Sequence, residues 1–310
     1  MRNGIFGAAS AMFLVGTLAG VSGLVGAYPI YGGQAVRYLV AAVILLLITW
    51  ALGLRFVRLT LRETLCLGGL TLLGLVLFNV CVVESTRASG PTLVGTVLGT
   101  VPLWLALAGG RPAPRLLVGA GVVVAGATLA TGLGTGNLTS LLWALGALVG
   151  EVSFSLLAIP LLPRLGAIRV SAYSTALAVP MLLVVGLADE GTAMFRAPTT
   201  AEVLGFGYLA VVITVLAFFL WYTALPKLGP GLAGLFAGLI PVGAIVTGVV
   251  LGVATPTVYD LLGAGLVIAG IVVGLTAGRS PAGLGRLTHG NAGHPLVRRR
   301  IPARLRRRGA

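Results

Sequence analysis

Residues 90–102 read GPTLVGTVLGTVP and residues 229–241 read GPGLAGLFAGLIP. Gly90, Pro91, Leu93, Gly95, Gly99 and Pro102 match Gly229, Pro230, Leu232, Gly234, Gly238 and Pro241 at a constant offset of 139 residues. A second pair follows. GAGVVVAG at Gly119–Gly126 returns as GAGLVIAG at Gly263–Gly270, 144 residues on, with the five extra residues in the intervening loop region. Gly and Ala are abundant enough to match by chance, but two prolines held in register are not cheap. A period this long is the signature of an internal repeat.

The surroundings of the repeat say what kind of protein carries it. Of 310 residues, 57% are hydrophobic and only 9% charged, against about 25% charged in a soluble domain. Mean hydropathy is +1.06. So little polar surface cannot coat a soluble globule of this length, which excludes an ordinary cytosolic enzyme, a secreted disulfide scaffold and a disordered chain. Apolar runs of membrane-crossing length lie near 5–25, 34–54, 64–83, 90–109, 115–133, 139–162, 168–187, 202–224, 230–252 and 257–277. Each can cross ~30 Å of hydrocarbon as a helix, and the alternating ten-residue segments of a β-barrel are absent. The first run is too long for the apolar region of a typical signal peptide and reads as a span. Cys66 and Cys81 fall about 22 Å apart on one predicted helix, too far for a disulfide.

The expected fold class is therefore all-α integral membrane, with ten transmembrane helices. The repeat equates spans four and five with nine and ten, so each half holds five. Five is odd, so the halves cross the membrane in opposite directions, as two inverted five-helix repeats at 1–135 and 136–278. Inverted repeats are characteristic of secondary transporters, and Gly/Pro-interrupted helices at matching positions point to the binding site. Those helices are spans four and nine, with Pro102 and Pro241.

Of the 21 Lys and Arg, 18 fall on one side of this topology, leaving Arg37, Arg87 and Arg196 on the other. The positive-inside rule makes the first side cytoplasmic, with both termini inside. Residues 279–310 carry nine Arg and no acid. They read as a disordered cytoplasmic tail touching anionic lipid rather than as a nucleic-acid module, since nothing folded or aromatic accompanies the charges. Arg outnumbering Lys 20 to 1 has the look of a GC-rich bacterial coding bias, hence an expected bacterial plasma membrane. Pairs such as Gly95/Gly99 and Gly234/Gly238 suit close helix contacts; they are compatible with a homodimer without arguing for one.

Chemistry inside such a bundle needs polar groups there. Glu151 stands about twelve residues into span six, near the midplane, where a carboxylate costs roughly 3 kcal/mol on insertion scales and usually marks an ion or substrate path. It is the candidate for proton coupling or for pairing with a cationic solute; the plain alternative is a protonated Glu bonded to Ser153, Ser155 or a carbonyl. Arg37 lies one turn inside span two. It reads as an outer gate paired with Glu84, as a clamp for a substrate carboxylate, or as an interfacial anchor that snorkels. Asp260 reads as interfacial. Ser22, Asn79, Pro102, Ser153, Tyr208 and Pro241 are the candidate cavity residues. Tyr173, Trp221 and Tyr222 are weaker candidates, because Tyr and Trp near span ends are commonly belt residues.

An enzyme is not expected. Both histidines, His289 and His294, lie in the tail, so no Ser/His/Asp triad can form in the membrane body. No metal-spaced His/Cys/Asp cluster and no Walker A motif occur, and no cofactor is implied. A non-transporting scaffold and an intramembrane lipid-modifying enzyme remain the alternatives.

The stretch WYTALPKLGPGLAGLFAGLIPVGAIVTGVVLG, Trp221 to Gly252, followed by GAGLVIAG, resembles the EamA-type permeases, the ten-helix members of the drug/metabolite transporter superfamily. It is similar to that family's Tyr-x-Ala-Leu helix end, short basic turn, Pro-containing ninth helix and Gly-rich tenth. Gly90, Pro91, Pro102 and Gly119–Gly126 form a weaker copy, and the resemblance spans roughly residues 5 to 278. It implies a central cavity lined by helices one, three, four, six, eight and nine, with alternating access. It also implies export of amino acids, metabolites or drugs, often driven by protons. The chain departs from the family where a Glu is common after helices four and nine (Gly110 and Val253 here) and before the ninth-helix proline (Ile240). It departs again at a first-helix Trp-Gly pair (Ala19-Gly20). Those polar roles are not carried over.

Overall fold

A computed structural model describes residues 1–89, 91–134, 136–252 and 255–277; the Arg-rich tail lies outside them, as do Gly90 and Val253. Every regular element among the described residues is helical. In chain order these are α1 (Arg2–Gly16), α2 (Leu18–Val25), α3 (Ile30–Ala51), α4 (Leu61–Gly69), α5 (Phe78–Ser89), α6 (Pro91–Leu98) and α7 (Val101–Ala108). Then come α8 (Pro114–Thr131), α9 (Leu138–Ala158), α10 (Leu162–Asp189), α11 (Thr200–Tyr208), α12 (Ala217–Gly234), α13 (Leu239–Val250) and α14 (Val258–Ala277). Seven helical runs are long and apolar enough to cross a membrane: Ile30–Ala51, Leu61–Ser89, Pro114–Thr131, Leu138–Ala158, Leu162–Asp189, Thr200–Val250 and Val258–Thr276. The protein is a multi-pass, all-helical membrane protein.

Several helices start where the sequence supplies a cap. Thr60 accepts a hydrogen bond from the Glu63 N–H, and the Glu63 carboxylate accepts from the Thr60 N–H at 2.8 Å. Thr199 and Glu202 make the same reciprocal pair ahead of α11. Such capping boxes satisfy two of the orphan N–H groups at a helix N-terminus. Ten residues beyond each cap the helix widens into a π-helical stretch, Leu70–Leu77 in the first case and Leu209–Leu216 in the second. Both the caps and the π-helical stretches are 139 residues apart, the offset of the Gly-Pro repeat.

Prolines and glycines mark the breaks. Pro102 and Pro241 donate no N–H, so the preceding turn loses its α-helical bond. The chain is interrupted at Gly99–Thr100 between α6 and α7, and it tightens to a 3₁₀ turn at Leu235–Gly238 before α13. The 51-residue run Thr200–Val250 is broken at Gly229, whose φ of 75° a side chain would oppose. Gly166, with φ 71°, separates the first turn of α10 from the rest.

Helices α8 and α14 pack backbone to backbone. A Cβ built on Gly119 would meet the Gly270 carbonyl at 2.7 Å, and one on Gly270 would meet the Gly119 carbonyl at 2.7 Å. One on Gly126 would meet the Gly263 carbonyl at 2.7 Å, and one on Gly263 would meet the Gly126 carbonyl at 2.6 Å. Only glycine lets the backbones touch here. Gly119 and Gly126 are the repeat partners of Gly263 and Gly270, so each contact is the exchange of the other. The two helices run antiparallel, since 119 meets 270 and 126 meets 263. The largest core cluster runs through the interior of the bundle and includes Tyr38, Leu70, Phe154, Phe218 and Tyr222.

Candidate functional site

The seven acids of the chain separate by what they hold. Glu63 and Glu202 close the capping boxes and pair with Arg164 and Arg196. Glu84 and Asp189 both pair with Arg87, at 2.9 and 3.2 Å. Glu190 accepts the Tyr31 and Gly32 N–H groups at 2.8 and 2.9 Å, capping α3. Asp260 accepts from the Thr257 N–H at 2.7 Å and the Thr257 hydroxyl at 2.8 Å, capping α14. These six serve as helix caps and ion-pair partners. Glu151 alone makes no hydrogen bond or ion pair among the described residues.

Glu151 lies in the second half of α9 on the face that carries Leu148 and Ser155, three and four residues away. Gly150, its neighbour, packs against the Leu73 carbonyl and Phe78, which sets this part of α9 against the π-helical stretch between α4 and α5. Four buried polar groups of the bundle have nothing to bond among the described residues. Ser155 Oγ, Ser171 Oγ, Trp221 Nε1 and Tyr222 Oη have no partner. Each such group costs about 1–3 kcal/mol when left unsatisfied. The Tyr222 ring stacks at a tilt on Phe154, three residues along α9 from Glu151, 5.1 Å between centroids. Tyr38 Oη accepts from Asn79 Nδ2 at 3.3 Å, while Asn79 Nδ2 also donates to the Leu75 carbonyl of the π-helical stretch. Asn79 thus ties α5 to α3, while Tyr222 of α12 packs on α9 one turn from Glu151.

Other candidates lie elsewhere. Tyr208 Oη shares a 2.7 Å hydrogen bond with Thr17 Oγ1 at the junction of α1 and α2. Ser153 is half-buried on α9. Pro102 is buried and Pro241 half-buried at the two helix breaks. Ser22 is on α2, and its side chain lies outside the described residues. Tyr173 is a loop anchor, accepting the Val57 N–H at 3.2 Å and stacking on Phe56.

The structure does not bring Arg37 to Glu84. Glu84 binds Arg87 and accepts from Tyr31 Oη at 3.4 Å. Arg37 is 7% exposed, so it does not snorkel. Its Nε donates to Thr214 Oγ1 at 2.8 Å and its Nη1 to Gln34 Oε1 at 3.3 Å, and its Cζ sits 5.3 Å over the Tyr38 ring. The residues that sequence reasoning missed are Tyr38, Thr214 and Thr17. The tyrosine immediately after Arg37 could have been noticed as its neighbour; the two threonines carry no local signal.

Outside the spans, Arg196 anchors the loop before α11. Its hydrogen bond to Glu202 holds the guanidinium pKa above the ordinary value. Burial pushes the Tyr28 phenol up, so it stays a donor to the Arg196 carbonyl at 2.6 Å. Two surface depressions, about 650 Å³ beside Thr131, Thr257 and Asp260 and about 400 Å³ beside Thr60 and Pro160, lie at helix ends, and Glu151 lines neither.

Residues 138–276 match the EamA-like transporter family. The chain is 26% identical over 287 residues to "Uncharacterized transporter YetK" of Bacillus subtilis (strain 168), covering 88% of this chain and 87% of that protein. A solved crystal structure, 20% identical, superposes with a TM-score of 0.75 over 90% of this chain and 99% of its own; at that identity the likeness is one of fold. Helical runs of membrane length, an EamA-like second half and a transporter relative matched along most of both chains agree: they support a membrane transporter of the drug/metabolite type.

Proposed function

We propose that the chain is a secondary active exporter of small organic solutes working by alternating access, and that Glu151 carries the coupling proton. The observation that carries this reading is Glu151 itself. It is the one acid with no bonding partner among the described residues, one turn from the Ser155 hydroxyl, which also lacks one. A carboxylate near the middle of a bundle that is not tied into the fold is free to exchange a proton or meet a solute.

The proposed architecture is ten crossings in two inverted halves. The run Thr200–Val250, broken at Gly229, supplies two crossings; α1 with α2, and α6 with α7, supply one each; the remaining six long runs supply the rest. The matched caps, matched π-helical stretches and the exchanged contacts of α8 with α14 support an inverted repeat. The positive-inside charge bias supports cytoplasmic termini in a plasma membrane. The cavity would lie between the halves, with Asn79, Ser153 and the breaks at Pro102 and Pro241 on its walls. Ser22 and Tyr208 would stand at its outer side.

The test is solute-triggered current from purified protein in liposomes, at two pH values, with wild type and Glu151→Gln. The expected result is a pH-dependent current in wild type that falls at least tenfold and loses its pH dependence in the variant. A variant that keeps both would remove Glu151 from the mechanism while leaving transport intact. Absence of current with every solute, in folded protein, would favour a scaffold.

A further inference from the structure

Arg37 is the second charge in the bundle that the fold leaves unanswered. All seven acids of the chain are among the described residues, and none pairs with it: six hold helix ends or other arginines, and Glu151 makes no bond at all. A buried guanidinium with no carboxylate is costly to keep, and arginine cannot shed its charge to escape the cost.

The side chain is nevertheless held in one place. Thr214 Oγ1 takes the Nε–H at 2.8 Å, and Thr214 is itself fixed by donating to the Leu209 carbonyl at 3.0 Å, five residues back in the π-helical stretch. Gln34 takes one Nη1–H, and the Tyr38 ring lies beneath Cζ. Two of the five guanidinium N–H groups are thus engaged. Nη2 has no hydrogen bond among the described residues. A rigid fork whose Nη2 is unbonded can take a carboxylate through charge-assisted hydrogen bonds. A single guanidinium neutralises one negative charge. That matches a carboxylate better than a phosphate ester, which carries about −1.5 to −2 at neutral pH. Tyr38, whose ring lies under Arg37, also accepts a hydrogen bond from Asn79 on α5.

We propose that Arg37 is the recognition group for a carboxylate on the transported solute, so that the solute is a monocarboxylate or a zwitterion and not a simple lipophilic cation. The proposal rests on the transport reading above, and it would stand with Glu151 assigned to protons or to a solute ammonium.

Two measurements test it. The first is liposome current with matched probes: isobutyrate against isobutyramide, leucine against leucinamide, and tetraphenylphosphonium. Wild type should prefer the acid of a pair at least tenfold. Arg37→Met should lose that preference, and Glu151→Gln should keep any residual preference for the acid. Amides or the phosphonium moving as well as the acids, or an Arg37→Met variant that still selects acids, would overturn the proposal while leaving transport standing. The second needs no solute. An arginine kept for a ligand burdens the empty protein, so Arg37→Met should unfold in detergent at the same or a higher temperature than wild type. A variant that unfolds several degrees lower, or fails to fold, would make Arg37 a structural residue and overturn the proposal even if no probe moves.

Discussion

Tyr222 shows at a single residue how this fold sets aside stability for something else. Its hydroxyl is buried without a partner, while its ring packs between Phe154 and Phe218. Removing an unsatisfied buried hydroxyl relieves about 1 kcal/mol or more. Tyr222→Phe is therefore expected to raise the unfolding midpoint in detergent and to slow transport severalfold in liposomes, a trade common at functional sites. Equal transport by the variant would mean that the hydroxyl touches neither solute nor proton. Glu151 was legible in the sequence because an acid inside an apolar run needs no alignment to be noticed. Arg37 was noticed for the same reason, but its surroundings were not. One turn of depth says nothing about which way a side chain faces, and Thr214, which holds it, is 177 residues away.

At the scale of elements, the α8–α14 pair makes a sharp distinction between glycines. Gly126 touches the backbone of α14, whereas a Cβ at Gly121 would have nothing within 4 Å. Gly126→Ala should destabilise by about 1–3 kcal/mol, the usual cost of overpacking. Gly121→Ala should be neutral or stabilising by up to about 1 kcal/mol through helix propensity. Thermal unfolding of the two variants in the same detergent decides it, and equal midpoints would contradict the contact. The positions of the long helices were readable from apolar runs alone. Their irregularities were not: Leu70–Leu77 and Leu209–Leu216 are apolar almost throughout, so no periodicity distinguishes a π-helical from an α-helical winding there. The break at Thr17 between α1 and α2 is likewise silent, because Thr17 looks like any polar residue tolerated in a span.

At the scale of the whole molecule, the uneven distribution of Lys and Arg predicts which loops face the cell interior. In a Cys66→Ala, Cys81→Ala background, Ala197→Cys should react with a membrane-impermeant maleimide added to intact cells. Arg58→Cys should react only after permeabilisation. Both positions are exposed, so the reversed pattern would invert the topology, and labelling at both without permeabilisation would argue against a fixed one. The class of the protein, the repeat and its offset were legible here because they depend on composition and spacing. The bonds that Tyr38 and Arg37 make to Asn79 and Thr214 were not, since they join helices far apart in the chain.

The doubled irregularities bear on ancestry. A Thr-x-x-Glu cap, a π-helical stretch ten residues later and a glycine–proline pair beyond it occur twice in the same order and spacing. A regular helix could arise repeatedly by chance of composition, but π-helical turns are uncommon and unfavourable. Inheritance from one copied segment accounts for the coincidence more simply than two separate origins. On the proposed inverted topology, that ancestor would have had to enter the membrane in either direction, and an arginine bias to one side would be a later acquisition, fixing an orientation that the original segment left undecided.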